Sequence, residues 1–328
     1  MTLHLFNPEN DLALALGCRH YTPPPHAAAL HRAGALMPSL WADPGDAILA
    51  PGQTSFDPAA VTRCSPWGWS ADARRQFINA GVSPDILPSD ADIMRMRMLS
   101  HRRSSVILLN LIDLPHLAAR EITDPRLVVE AEQASPGIWL KTPWSCSGRG
   151  VMCASSLDPD ALLRRAAGII HRQGSVMVEK GLTGKLLDFA ALFTAHSGGT
   201  VTFDGWSVFR AEPRGAYCGN VVLPDDELLA LILSTGHDPR PFIPALTSAL
   251  SAHIGGTYVG PLGIDMMIHS GGIHPCIELN LRRTMGTVAR SLALQRHRGL
   301  LAWEHTSRPS GTPLLTPAFG FALTLSPL

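Results

Sequence analysis

Leu3 to Phe6 is a short apolar run that breaks into a polar loop, Asn7-Pro8-Glu9-Asn10-Asp11. An Ala-rich helix is predicted from about Pro25 to Leu36 and a second strand from Ala47 to Ala50. Strand, loop, helix, strand is the grammar of a parallel α/β unit, whose functional loops sit at the carboxyl ends of strands. The loop after the first strand is therefore a candidate substrate wall. Pro66-Trp67-Gly68-Trp69 punctuates the chain before a helix from about Ala71 to Ala80. Ser89 to Ile112 begins as a helix, with Ser89 as N-cap and Asp90 and Asp92 in the first turn.

From Gly137 the pattern turns β-rich. Ile138 to Lys141 reads as a strand, followed by a Ser/Gly-rich loop and a strand from Val151. Asp158 to Gln173 has the spacing of an amphipathic helix, and Ser175 to Glu179 is a further strand. Two hairpins are predicted, turning at His196-Ser197-Gly198-Gly199 and at Ser270-Gly271-Gly272. Pro224 to Thr235, Pro241 to Ile254 and Thr284 to about Leu301 read as helices, and the Pro-rich C-terminal tail carries no assigned element. No repeat of solenoid period is present.

The second hairpin concentrates chemistry. With Gly271-Gly272 as a two-residue turn, Asp265 lies directly opposite Glu278. Ile264, Met266 and Ile268 then share an apolar face with Ile277, Leu279 and Leu281, and the other face carries Asp265, Glu278, Asn280 and Arg282. Like charges opposed on a sheet destabilise it unless something neutralises them. A divalent cation would do so, since carboxylates, an amide oxygen and substrate phosphates suit magnesium. A solvated face with Arg282 bridging the two acids would also do so.

Two further segments are candidates. Lys141 closes a strand ahead of Thr142-Pro143-Trp144-Ser145-Cys146-Ser147-Gly148-Arg149-Gly150, a loop of small residues flanked by charge that can fold over a polyphosphate. It matches neither GxxxxGK[ST] nor GxGxxG, and by itself such a loop also reads as a plain hairpin turn. Glu179-Lys180-Gly181-Leu182 ends a strand before Thr183-Gly184-Lys185-Leu186-Leu187-Asp188, where exposed backbone can meet an adenine edge or simply cross between strands.

Composition narrows the class. The chain has 328 residues and 35.2 kDa, which predicts two or three packed subdomains. It is 45% hydrophobic and 16% charged, with 27 basic and 27 acidic residues, which excludes a disordered tail protein and a strongly basic nucleic-acid binder. No run approaches the ~20 apolar residues of a spanning helix, so no membrane partner is expected. The first residues carry no basic leader, and the six cysteines form no CxxC pair, which together point to a cytoplasmic protein with free thiols. Only three of the basic residues are lysine, Lys141, Lys180 and Lys185, and all fall within the candidate segments.

Taken in order, these segments resemble the ATP-grasp superfamily, over residues from about 90 to 300. The resemblance is most specific at Glu278-Leu279-Asn280-Leu281-Arg282, which is similar to the superfamily's ExNxR, with Asp265 as the upstream acid. It implies an ATP-grasp fold of two α+β subdomains sandwiching ATP, residues 91–180 and 181–328. Residues 1–90 would form a Rossmann-like α/β unit ahead of them. It implies ATP as cofactor with magnesium, or manganese, held by Asp265, Glu278 and Asn280. Lys141 and Arg102 would contact phosphate, and Ser145, Ser147, Gly148, Arg149 and Gly150 would form the lid. Glu179, Lys180 and Leu182 would read adenine. Leu186 stands where the superfamily often has an acid near the ribose, so Lys185 or Asp188 would take over part of that work.

The implied activity is an ADP-forming carboxylate ligase that makes an amide-type bond through an acyl phosphate. Its partners would be small-molecule carboxylate and amine substrates, amino acids or peptides among them, with a homo-oligomer open. Arg282, Arg210 and Arg214 are the candidate catalytic cations, although Arg210 and Arg214 also read as surface arginines. Glu9, Asn10 and Asp11 would bind the amine or cap the next helix. The competing readings are a phosphotransferase on the same fold and a nucleotide-binding protein without turnover. A metal-dependent hydrolase built on His269, His274 and Cys276 matches no zinc spacing.

Overall fold

Alternating β-branched and apolar runs pair into three sheets in a computed structural model that describes residues 1–52, 56–145, 150–212, 217–306 and 308–328. The N-terminal sheet is parallel. Its central strand β1 (Thr2–Leu5) lies between β2 (Ala47–Ile48) and β3 (Arg63–Pro66). Five helices accompany it: α1 (Asn10–Leu16), α2 (Pro25–Ala33), α3 (Ala71–Asn79), α4 (Asp90–Leu99) and α5 (Arg103–Leu111). Ser89 caps α4 as expected, in a reciprocal box with Asp92. β2 is shorter than its apolar run, and β3 was not predicted from the sequence.

A small antiparallel sheet follows. It comprises β4 (Arg120–Ile122), β5 (Ile138–Lys141), β6 (Val151–Cys153) and β7 (Val176–Lys180), in the order β4-β7-β5-β6. Its core is separate and is filled by α6 (Pro125–Ala134) and α7 (Pro159–Gln173) through Val128, Leu162, Ala166 and Ile169.

The large sheet runs antiparallel through eight strands. It contains β8 (Leu187–Ala195), β9 (Val201–Ala211), β10 (Tyr217–Val222), β11 (Gly260–His269), β12 (Gly272–Asn280), β13 (Gly299–Glu304), β14 (Thr312–Pro313) and β15 (Ala322–Ser326). Their order is β12-β11-β8-β9-β10-β13-β15-β14. Helices α8 (Asp225–Leu233), α9 (Phe242–Ile254) and α10 (Met285–Leu294) pack on it. One hydrophobic core links the N-terminal unit to this sheet through Leu3, Phe77, Leu108, Phe189 and Ile264. No helix among the described residues is long and apolar enough to cross a membrane.

Two expectations fail at the C-terminus. The helix after Thr284 stops at Leu294 instead of reaching Leu301. Arg296 turns the chain at φ 67°, and Gly299 opens β13 at φ 149°, with room for no Cβ: one would sit 2.3 Å from the Ser326 carbonyl. The Pro-rich tail likewise forms a strand, because β15 continues the ladder of β13 and buries Leu323 completely.

Phe6 is the hub where the N-terminal unit meets the large sheet. Its ring stands edge-on to Trp67 at 5.2 Å and stacks on Trp303 at 6.3 Å. A Cβ at Gly34 would fall 2.3 Å from that ring. Gly34→Ala is therefore expected to lower stability by about 1–3 kcal/mol, because a pinned aromatic ring must move. Urea unfolding of both proteins checks this, and equal midpoints would show that Phe6 has slack.

Candidate active site

Strands β11 and β12 pair Gly263 with Asn280, Ile264 with Leu279 and Asp265 with Glu278, so the two acids are directly opposed. The route to that register differs from the expectation. The ladder closes at His269 and Gly272, making Ser270-Gly271 the turn, and is regular up to Met267 opposite His274. The next aligned pair is Asp265 and Glu278, so Met266 faces three residues of β12. Pro275 lies in that bulge, where it has no N–H to donate to a ladder. The two extra residues restore the expected pairing. They also alter one face: Cys276 is buried in the core, and Ile277, expected there, lines a cavity instead.

Asp265 is half-buried and borders two cavities. That burial, then the Glu278 charge, pushes its carboxyl up to about 7. Arg282, a hydrogen bond from the Asn280 amide and Arg102 pull the other way. Arg102 holds Glu278 at 3.0 Å and donates to the Thr142 carbonyl and to Ser145 Oγ, each at 3.0 Å. Two opposed carboxylates beside an amide fit magnesium, which uses few protein ligands and keeps water and phosphate oxygens. Among the described residues no group of three or more His, Cys, Asp and Glu is placed to hold a metal ion.

Asp265 and Glu278 belong to two cavities at once. One, of about 300 Å³, lies between the small and large sheets and is lined by Lys141, Arg102, Glu179, Leu182, Lys185 and Asp188. Lys141 is buried and ion-paired with Glu179, while Lys185 donates to Asp188 at 2.7 Å. The other, of about 230 Å³, lies between the large sheet and the N-terminal unit. Phe6, Trp67 and Trp303 form its apolar wall, and Ser207, Asn220 and Arg282 its polar one.

Arg282 reaches this second cavity from the end of β12. Asp11 on α1 accepts from its Nε, at 2.9 Å in the shorter contact, and forms an ion pair with its Nη2 at 2.8 Å. These contacts restrain the guanidinium. The Asn7–Asp11 segment is thus divided: Asn10 and Asp11 begin α1, Glu9 pairs with His31 at 2.7 Å, and Asp11 orients Arg282.

Not every candidate residue gathers here. Arg210 is exposed, because its β9 neighbours Phe209 and Ala211 face the cavities and alternation sends it to the opposite side. Lys180 is likewise exposed, one position past Glu179 on β7, and lines neither cavity. Ser145, expected over the phosphates, lines the cavity on the Arg282 side instead, drawn there by its bond from Arg102. Gly150 adopts φ 85°, and its carbonyl accepts from the Thr142 N–H at 2.9 Å. Ser147, Gly148, Arg149 and Arg214 lie outside the described residues.

No protein-family profile matches the chain, and no curated protein matches it. Solved structures do. A biotin carboxylase from Campylobacter jejuni, solved as a complex with beta-gamma-ATP, superposes with a TM-score of 0.54 at 12% identity, over 94% of this chain and 77% of that one. The chain has the ATP-grasp fold. D-alanyl-alanine synthetase A from Vibrio cholerae aligns at TM-score 0.49 and 12% identity, over 91% of this chain and 94% of its own. The biotin carboxylase domain of Hydrogenobacter thermophilus 2-oxoglutarate carboxylase gives 0.42 at 14% identity, and there the match spans 57% of this chain and 40% of that one.

Within the ATP-grasp fold, sequence reasoning missed Asp11 as the partner of Arg282 and the wall of Phe6, Trp67 and Trp303. The rule that loops at strand carboxyl ends line sites pointed to the Asn7–Asp11 loop, of which Pro8 lines the cavity. Trp303 carried no local signal: the helix after Thr284 was read to about Leu301, and Trp303 lay past it with no element assigned.

Proposed function

We propose that the chain is an ATP- and magnesium-dependent ligase that joins a carboxylic acid to an amine through an acyl phosphate, releasing ADP. The observation that carries this reading is the shared wall: Asp265 and Glu278 border both cavities, so a nucleotide in one and an acid in the other would meet across them. Magnesium, when held by Asp265, Glu278 and Asn280, supplies neutralising charge for the phosphates. Lys141 and Arg102 are buried cations on the nucleotide side, placed to bind phosphate oxygens without a hydration cost at the moment of transfer. Glu179 and Leu182 line the same cavity where an adenine would enter, with Lys185 and Asp188 at its edge.

The acid's oxygen attacks the γ-phosphorus, and the bond to the β–γ bridging oxygen breaks with its electron pair leaving on ADP. The amine nitrogen then attacks the acyl carbon, the carbon–oxygen bond to phosphate breaks, and the nitrogen gives up a proton. Arg282, fixed by Asp11, stands where it can balance the charge of the acid and of the acyl phosphate. No side-chain nucleophile is needed, since phosphoryl transfer asks the protein mainly for position and charge. On this reading residues 1–90, 91–180 and 181–328 are the preceding α/β unit and the two ATP-grasp subdomains, working in the cytoplasm.

Product analysis tests it. With pooled acids and amines, ADP and inorganic phosphate are expected in equal amounts, and only when both pools are present. A phosphorylated acceptor without phosphate release would establish a phosphotransferase instead.

A further inference from the structure

The cavity beside Arg282 has a chemistry of its own. Its inner wall is aromatic, and Phe6 and Trp67 are buried, so an occupant meets ring faces already desolvated and held by one another. Apart from Arg282, its polar wall is neutral. Tyr217 Oη donates to Asn220 Oδ1 at 2.6 Å, and Asn220 Nδ2 donates to Ser207 Oγ at 2.7 Å. This relay makes Ser207 an acceptor toward Asn220 and leaves its hydroxyl proton as the donor it can offer an occupant. Space at Ser207 is kept by Gly286 in the first turn of α10, where a Cβ would sit 2.5 Å from Ser207 Oγ.

The charges are equally restrictive. Among the described lining residues Arg282 is the one cation, and the only carboxylates are Asp265 and Glu278. Among the described residues an ammonium group here would meet no lining anion apart from that pair, and a second carboxylate no lining cation apart from Arg282. Burying an unpaired charge costs several kcal/mol, on the order of what such a pocket could gain from contact. At about 230 Å³ the cavity is also below the ~300–1,000 Å³ of pockets that enclose drug-sized ligands.

We propose that this cavity selects the acid to be activated, and that the acid is a small monocarboxylate with an apolar body. Its carboxylate faces Arg282 and Ser207 beside the Asp265–Glu278 border, and its body lies on Phe6, Trp67 and Trp303. The inference rests on the ligase reading above.

Hydroxylamine replaces the unidentified amine in the test, because it captures an acyl phosphate as a hydroxamate while phosphate leaves. The full chain is given ATP, magnesium and one acid at a time: phenylacetate, 4-methylvalerate, leucine, succinate or acetate. Phenylacetate or 4-methylvalerate is expected to form hydroxamate with a kcat/KM at least about tenfold above each of the others, the scale of discrimination set by a pocket of this kind. Trp303→Ala should cut that advantage about tenfold, and Gly286→Ala should raise KM for the acid while nucleotide affinity stays as in the wild type. A preference for leucine or succinate overturns the proposal, as does an advantage that survives both substitutions. Calorimetry with a non-hydrolysable ATP analogue separates the two levels. Nucleotide binding without turnover of either apolar acid overturns this substrate class, and absence of nucleotide binding overturns the ligase reading beneath it.

Discussion

Glu278→Gln is expected to weaken magnesium-dependent binding of a non-hydrolysable ATP analogue by about ten- to a hundredfold, the scale of a lost charge-assisted contact. Binding without magnesium should change far less. Two effects act together. The glutamine amide offers the cation one neutral oxygen in place of a carboxylate, and Arg102 loses the anion that holds it at 3.0 Å. Arg102 also holds Ser145 and the Thr142 carbonyl, so the variant should loosen the loop that follows β5. Calorimetric titration with and without magnesium reads both effects. Equal affinities for wild type and variant would remove the hairpin from any metal role and reduce it to scaffold.

Asp265→Asn should do the opposite to the ligand-free protein and raise its melting temperature. Burial and Glu278 lift the Asp265 carboxyl to about 7, whereas in an unfolded chain it titrates near 4. Below about pH 4 the group is protonated in both states and costs nothing. As the pH rises from about 4 to about 7 the unfolded chain ionises freely and the folded one resists, so the wild type loses stability across that window and the loss levels off above it. Asparagine removes this term. Water in the cavities screens part of it, so the expected gain is modest: about 2–5 °C at pH 8 and none at pH 4. Scanning calorimetry at the two pH values decides. A lower melting temperature at pH 8 would mean that the two acids are accommodated without strain, and a neutraliser would have no work to do.

The hairpin chemistry was legible in the sequence because opposed acids on one face are a local pattern that needs only a register. The register at Asp265 and Glu278 was right although the turn was not, because the bulge around Pro275 makes up the two residues that the Ser270-Gly271 turn removes. The side taken by Arg210 stayed open for a related reason: it depends on the phase of β9, and Phe209 and Ala211 are equally plausible facing either way until the sheet is assembled. The strands after α10 were hidden by Leu-rich runs whose period does not separate a buried helix from a buried strand. The aromatic wall could not be read at all. Residues 6, 67 and 303 come together only through the packing of the N-terminal unit on the large sheet.

The adjacent residues Arg282 and Arg283 both depend on the N-terminal unit. Asp11 grips the first, while the second lies over the Trp41 ring at 4.5 Å and donates its N–H to the Trp67 carbonyl at 2.8 Å. Burial already depresses the Arg283 guanidinium to about 10. A chain beginning at residue 91 would leave two neighbouring guanidinium groups stripped of an anion and an aromatic face at once, two positions past the site asparagine. Exchanging the first α/β unit for one from another protein of this fold would then fail, unless the graft brought its own acid and its own ring to the same two places.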